Sequence, residues 1–243
     1  MMKIKNFVDL MTGEFDNKEQ FMEMKEAGKS FPYAQHINTV CNDKIKNIPE
    51  DFNGIFVVEE SYYETDGKRH ASPHLFLITD SDDGIILSSY EIPAGEDKNT
   101  FSYNSMKSVD YSELRKSEKF TPALYKENNG SWEGGSVSQF TPVMIFRLWE
   151  RFSETCLEVS ESMEVNGTKP FGCDEPILYQ RVSHKSGTRK GIYHEHYRLS
   201  GRKRGQGSGP EAGGPGAGKM DRGERERAGV RRLPLRPDGR DRR

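Results

Sequence analysis

The stretch GIFVVEESYYE, residues 54–64, decides the fold. It is rich in β-branched and aromatic residues, which fit a pleated, buried surface, so it reads as a strand. Successive side chains of a strand point to opposite faces. Phe56, Val58, Glu60 and Tyr62 therefore share one face, and Ile55, Val57, Glu59 and Tyr63 share the other. If the sheet closes into a barrel, one of the two neighbouring glutamates faces inward among aliphatic side chains. A carboxylate there must be paired, hydrogen-bonded or raised in pKa. If the strand leaves the barrel before that point, both glutamates are solvated.

Strand signals continue downstream. PHLFLIT (residues 73–79) and GIILSSYEI (84–92) flank Asp83-Gly84, a hairpin turn signal, and are expected to pair antiparallel. TPALYKE (121–127), SWEGGSVS after Asn129-Gly130, PVMIFRLW (142–149), TCLEVSESMEV before Asn166-Gly167, and GIYHEHYRL (191–199) read as further strands. Upstream, QHINTVC (35–41) is another. The chain opens differently: Ile4, Phe7, Val8 and Met11 recur at helical spacing. In GEFDNKEQF (13–21), Gly13 ends this first helix and Asp16 or Asn17 caps a second, with Glu19 placed as in a capping box. The second helix carries Phe21 and Met24 and stops at Gly28. Roughly seven to nine short strands after a short N-terminal helical region predict a mainly β fold, an antiparallel β-barrel or sandwich.

Composition divides the chain. Residues 200–243 contain no aromatic residue and 11 of the 24 glycines, and carry 13 basic against 6 acidic groups. Such a segment cannot bury enough apolar surface to offset its ordering entropy and is expected to be a disordered basic tail. Residues 1–199 form the expected folded domain, with 23 basic and 32 acidic groups. An acidic body disfavours nucleic acid, which needs clustered Lys and Arg; only the tail has the charge for it. No apolar run approaches the ~18 residues of a membrane span, and MMKIKNFVDLM lacks the apolar core of a signal peptide. Three cysteines, Cys41, Cys156 and Cys173, show no CxxC spacing, which points to reduced thiols and a cytoplasmic location.

Motifs of independent catalytic chemistry are absent: there is no glycine-rich phosphate loop and no nucleophile elbow. The histidines give no paired metal-ligand spacing; His194 and His196 share a strand face with Glu195 opposite, and no metal site is expected.

The order FDNKEQ, PYAQHI, GIFVVEESYY, then PHLFLI turning into GIILSSYEI, resembles the T-type phycobiliprotein chromophore lyases, the CpcT/CpeT family. Phe15, Asn17 and Gln20 match its N-terminal signature; Phe56, Val58, Glu59 and Tyr62 match its strand motif, with Glu60 and Ser61 in place of glutamine and alanine. The resemblance is clearest over residues 5–92 and extends to about 199. It implies a calycin- or lipocalin-like antiparallel β-barrel that binds an open-chain tetrapyrrole (a bilin resembling phycocyanobilin) as substrate, with no permanently bound cofactor. It implies lyase activity that helps attach the bilin to a cysteine of a phycobiliprotein subunit. The thiol belongs to that acceptor. Glu59 becomes the candidate catalytic residue, contacting pyrrole nitrogens, and Tyr33, His36, Glu60, Tyr62 and His74 the candidate ligand-binding residues.

Where the family carries Tyr-Arg-x-Arg after the proline, this chain has His74, Leu75, Phe76 and Leu77. Guanidinium groups there are natural partners for propionates, so the two leucines are expected to make the pocket more apolar; Lys68 and Arg69 in the preceding loop read as solvated charges, with reach to the same carboxylates from the barrel mouth as the alternative. Two further readings follow. The chain is a lipocalin-like carrier of a small apolar ligand without catalysis, or the barrel is scaffold and the basic tail meets a partner. A second copy, in a homodimer, is the remaining expected partner.

Overall fold

The computed structural model describes residues 2–65, 67–173 and 175–183. The expected strand at 191–199, His184, His194, His196 and the basic tail lie outside the described residues.

The spacing of Ile4, Phe7, Val8 and Met11 produces helix α1 (Met2–Met11), with all four buried. After it come β1 (Gly13–Asp16), α2 (Lys18–Glu26), β2 (Tyr33–Val40), β3 (Ile45–Lys46), β4 (Ile55–Thr65), β5 (Lys68–Ala71), β6 (His74–Ser81), β7 (Gly84–Tyr90), β8 (Val109–Asp110), β9 (Ala123–Asn128), β10 (Ser131–Thr141), β11 (Met144–Phe152), β12 (Cys156–Val165), β13 (Thr168–Gly172) and β14 (Ile177–Arg181). Ten of these close an antiparallel barrel in the order β11-β10-β9-β7-β6-β4-β2-β1-β14-β12, with β12 returning to β11. β5 and β13 attach to β4 and β12 outside that ring, and β3 and β8 form a small parallel pair. The calycin-like barrel expected from sequence is the fold.

Turn chemistry sets the register. Asn129 and Gly130 (φ 51° and 82°) and Asn166 and Gly167 (φ 52° and 77°) adopt the left-handed backbone that a two-residue hairpin loop requires. Between β6 and β7 the two-residue loop is Asp82-Asp83, one position before the expected pair, because Ser81 already faces Gly84.

The barrel interior is an apolar core plugged by α1. Phe7 meets Tyr125, Trp132 and Phe152 at centroid distances of 5.0, 5.7 and 5.3 Å, and Trp132 Nε1 donates to Asn6 Oδ1 at 2.7 Å. A second apolar cluster lies on the outside of β4 and β6: Phe56, Val58, Leu75 and Leu77 pack beneath Phe101, Met106 and Leu114 of the long β7–β9 connection. β4 is therefore buried on both faces through Val58, which explains its unbroken apolar run.

Residues 13–21 depart from their expected reading. A short strand, β1, replaces a simple helix stop; Phe15 is fully buried, and Asp16 and Asn17 follow it. The Asp16 carboxylate accepts from the Lys18 N–H at the start of α2 at 3.0 Å, as one of the two expected caps, whereas Asn17 stands at the N-cap position but makes no capping bond. Its side chain instead donates to the Pro32 carbonyl at 2.9 Å and accepts from Ala34 N–H at 2.8 Å, tying α2 to β2. The buried residue of α2 is Gln20, not Phe21 or Met24. Gln20 donates to the Pro176 carbonyl and accepts from Leu178 N–H, at 2.9 and 2.8 Å, because it faces the backbone at the start of β14. Lys68 and Arg69, expected in a loop, form exposed strand β5.

Candidate functional site

Above the α1 plug, the barrel holds a cavity of about 360 Å³ whose wall includes Met11 at one end and Phe120, Phe140 and Phe146 at the other. Alternation along β4 carries Glu59 into it, after Ile55 and Val57. Glu59 is 7% and His36 4% exposed, so both are held away from bulk water. His36 Nδ1 approaches Glu59 Oε2 to 3.2 Å. The approach is off the ring N–H direction, so it is a charge pairing and not an aligned hydrogen bond. The other ring nitrogen, Nε2, lies 3.1 Å from the Tyr179 hydroxyl.

Burial opposes the charge on both groups, yet the pair outweighs it. Burial alone lowers the His36 pKa, but the Glu59 carboxylate holds it above the ordinary value. Burial alone raises Glu59, but His36 and then His74 hold it below the usual carboxylate range. His74 is half-buried against the cavity, and desolvation pulls its imidazole below the usual value despite Glu59.

Two further carboxylates face the same space. Glu150 is buried and accepts from the Tyr125 hydroxyl. Desolvation first, then the like charge of Glu59, pushes it up to about 7. Glu161 accepts from the Tyr63 hydroxyl at 2.8 Å. The open end is aromatic: Phe140 and Phe146 stack with centroids 5.8 Å apart, and Phe120 stands edge-on to Phe140 at 5.2 Å. Lys119 Nζ sits 4.4 Å from the Phe140 centroid. It is the one Lys or Arg lining this cavity among the described residues.

Of the six residues singled out from sequence, the structure brings together Glu59, His36 and His74. Glu60 and Tyr62 point to the opposite face of β4. There the Tyr62 hydroxyl donates to Glu60 Oε2, and Glu60 Oε1 accepts from Tyr103 N–H, at 2.9 and 3.2 Å. Tyr33 lies beside Phe21 on the outer surface, 5.7 Å between centroids. These three do not line the cavity, because strand parity sends each of them outward. Parity also corrects the reading of Leu75 and Leu77. They lie in the outer cluster, and the cavity is lined instead by their neighbours His74 and Phe76. Lys68 and Arg69 do not reach it either; Arg69 caps the Tyr62 ring at 4.1 Å.

Glu150, Glu161 and Lys119 went unnoticed in the sequence, and Tyr63, placed there on the same strand face as Glu59, was not among the residues singled out. For the glutamates a signal existed: Glu150 lies two residues from Leu148 and Phe152, and Glu161 two from Val159 and Met163, the spacing that marks Glu59 beside Val57. Among the described residues, no group of three or more His, Cys, Asp or Glu is arranged to hold a metal ion. Cys41 is buried in the outer cluster, where desolvation pushes its thiol pKa up, away from the reactive thiolate.

No helix among the described residues is long and apolar enough to cross a membrane. In comparison with known proteins, no family model and no curated sequence matches this chain.

Proposed function

We propose that this chain binds an open-chain tetrapyrrole in the barrel cavity and assists its attachment to a cysteine of an acceptor protein, as the chromophore lyases it resembles do. The observation that carries the reading is the placement of the Glu59 carboxylate, buried beside His36 and facing an aromatic-walled cavity. Pyrrole nitrogens are N–H donors, and a conjugated bilin takes up positive charge when protonated; a carboxylate held ionised in a low-dielectric pocket is a strong partner for both. Glu150 and Glu161 extend that acidic lining, while Phe76, Phe120 and Phe146 offer faces to flat rings. Lys119, at the aromatic end, is placed to meet a propionate.

The chemistry asked of the chain is modest. The acceptor's thiol sulfur bonds to the ethylidene carbon, a proton goes to the adjoining carbon, and no electrons are gained or lost overall. The chain's residues need to fix the bilin's conformation, exclude water and hold a proton nearby. Glu150, pushed up to about 7, holds or releases one near neutral pH.

A lipocalin-like carrier without catalysis uses the same cavity. Its three carboxylates disfavour fatty acids and favour ligands with N–H or cationic groups. Titration of the purified protein with phycocyanobilin tests the binding; incubation of the complex with an apo-phycobiliprotein subunit separates lyase from carrier by whether a covalent adduct forms.

A further inference from the structure

Beside the main cavity lies a second chamber of about 350 Å³, and the partition is one layer of side chains: Tyr63, Val159, Glu161 and Phe171 face both spaces. The sheet register explains the chamber. β1 ends at Asp16, pairing β2 only as far as Gln35, and β14 starts at Ile177, pairing β12 only as far as Val159. Beyond those residues the wall between β2 and β12 lacks two strands. The Tyr63 hydroxyl donating to Glu161 Oε1 joins β4 to β12 across that gap, although the two strands are not neighbours in the sheet. Pro32, His70 and Pro170 form part of the chamber's outer lining.

We propose that this lateral chamber is a second part of the ligand site and takes the terminal ring of an elongated conjugated ligand whose other rings occupy the main cavity. The inference rests on the tetrapyrrole reading above. At about 360 Å³ the main cavity stands at the low end of the roughly 300–1,000 Å³ of small-molecule sites, tight for four linked rings. The chamber roughly doubles the room. A terminal ring entering it meets the Phe171 ring and gives Glu161 a pyrrole N–H in place of the Tyr63 hydroxyl, so one hydrogen bond replaces another. The gap in the wall between β2 and β12 leaves that ring within reach of an acceptor's thiol.

The test uses the full chain, phycocyanobilin and two variants. His70→Trp places a large side chain at the chamber from exposed strand β5. It is expected to weaken phycocyanobilin binding by about tenfold or more, with the melting temperature of the free protein unchanged. Tyr63→Phe removes the bond across the partition and needs no extra room, and is expected to strengthen binding. Unaltered phycocyanobilin affinity in both variants overturns the second subsite. Absence of any absorbance change with the unsubstituted chain instead overturns the tetrapyrrole reading, and this inference with it.

Discussion

His36 Nδ1 stands 3.2 Å from Glu59 Oε2 inside the barrel, with each side chain at most 10% exposed. The two residues answer unequally to losing each other. His36→Gln leaves a buried carboxylate with its nearest positive partner gone and is expected to cost roughly 3 kcal/mol in urea denaturation. Glu59→Gln is expected to cost less, because an imidazole left alone sheds its proton near neutral pH. The lowered Glu59 pKa contributes stability above its ordinary 4.5 that is lost as pH falls through the folded value. The raised His36 pKa contributes stability below its ordinary 6.5 that is lost as pH rises through the folded value. The pair therefore stabilises most between about pH 4.5 and 6.5, and His36→Gln should flatten that maximum.

Glu150 has the opposite sign. Its folded pKa of about 7 lies above the ordinary 4.5, so the native state binds the proton more tightly and loses stability as pH rises from 4.5 towards 7. Glu150→Gln keeps an acceptor for the Tyr125 hydroxyl and removes the titration. It should raise the melting temperature at pH 8 and change it little at pH 4.5; an equal effect at both would show that Glu150 does not titrate in this range.

Leu75→Arg tests the face assignment of β6. Leu75 is fully buried in the outer cluster, so the substitution buries an unpaired guanidinium and should cost several kcal/mol, up to loss of folding. Improved bilin affinity from Arg at positions 75 and 77 would mean that these side chains reach the cavity after all.

Lys119→Met should weaken phycocyanobilin binding by about 5- to 10-fold, the loss of one partly exposed charge-assisted contact. The same substitution should leave the affinity for the bilin's dimethyl ester unchanged, since the ester has no carboxylate to pair. Parallel losses for acid and ester would assign Lys119 a packing role over Phe140 instead.

Much of this architecture is written in local pattern. The helical spacing of Ile4, Phe7, Val8 and Met11, the alternation in residues 54–64 and the Asn-Gly turns each name an element, because local sterics and one buried face determine them. The face a residue takes depends on what covers the sheet from far away. Phe56, Val58, Leu75 and Leu77 look like barrel interior until the β7–β9 connection is seen to bury the outside. Asn17 read as a helix cap, and Gln20 carried no structural reading of its own, because their partners, Pro32, Ala34, Pro176 and Leu178, include carbonyls and amides up to 158 residues away, and backbone groups leave no trace in sequence. Alternation along β4 made one inward carboxylate of the pair Glu59 and Glu60 legible, and the family resemblance pointed to Glu59. Its convergence with Glu150 and Glu161 was not legible, since closure of β12 onto β11 and β14 is what brings the three strands around one cavity.

Spectroscopic titration of the full chain with phycocyanobilin, beside Glu59→Gln, tests the central claim most directly. The account predicts saturable binding at micromolar concentration with a red-region absorbance change, and a tenfold or greater loss of affinity on removing the Glu59 charge. No absorbance change with the unsubstituted protein, or equal affinity of the folded Glu59→Gln variant, would contradict it.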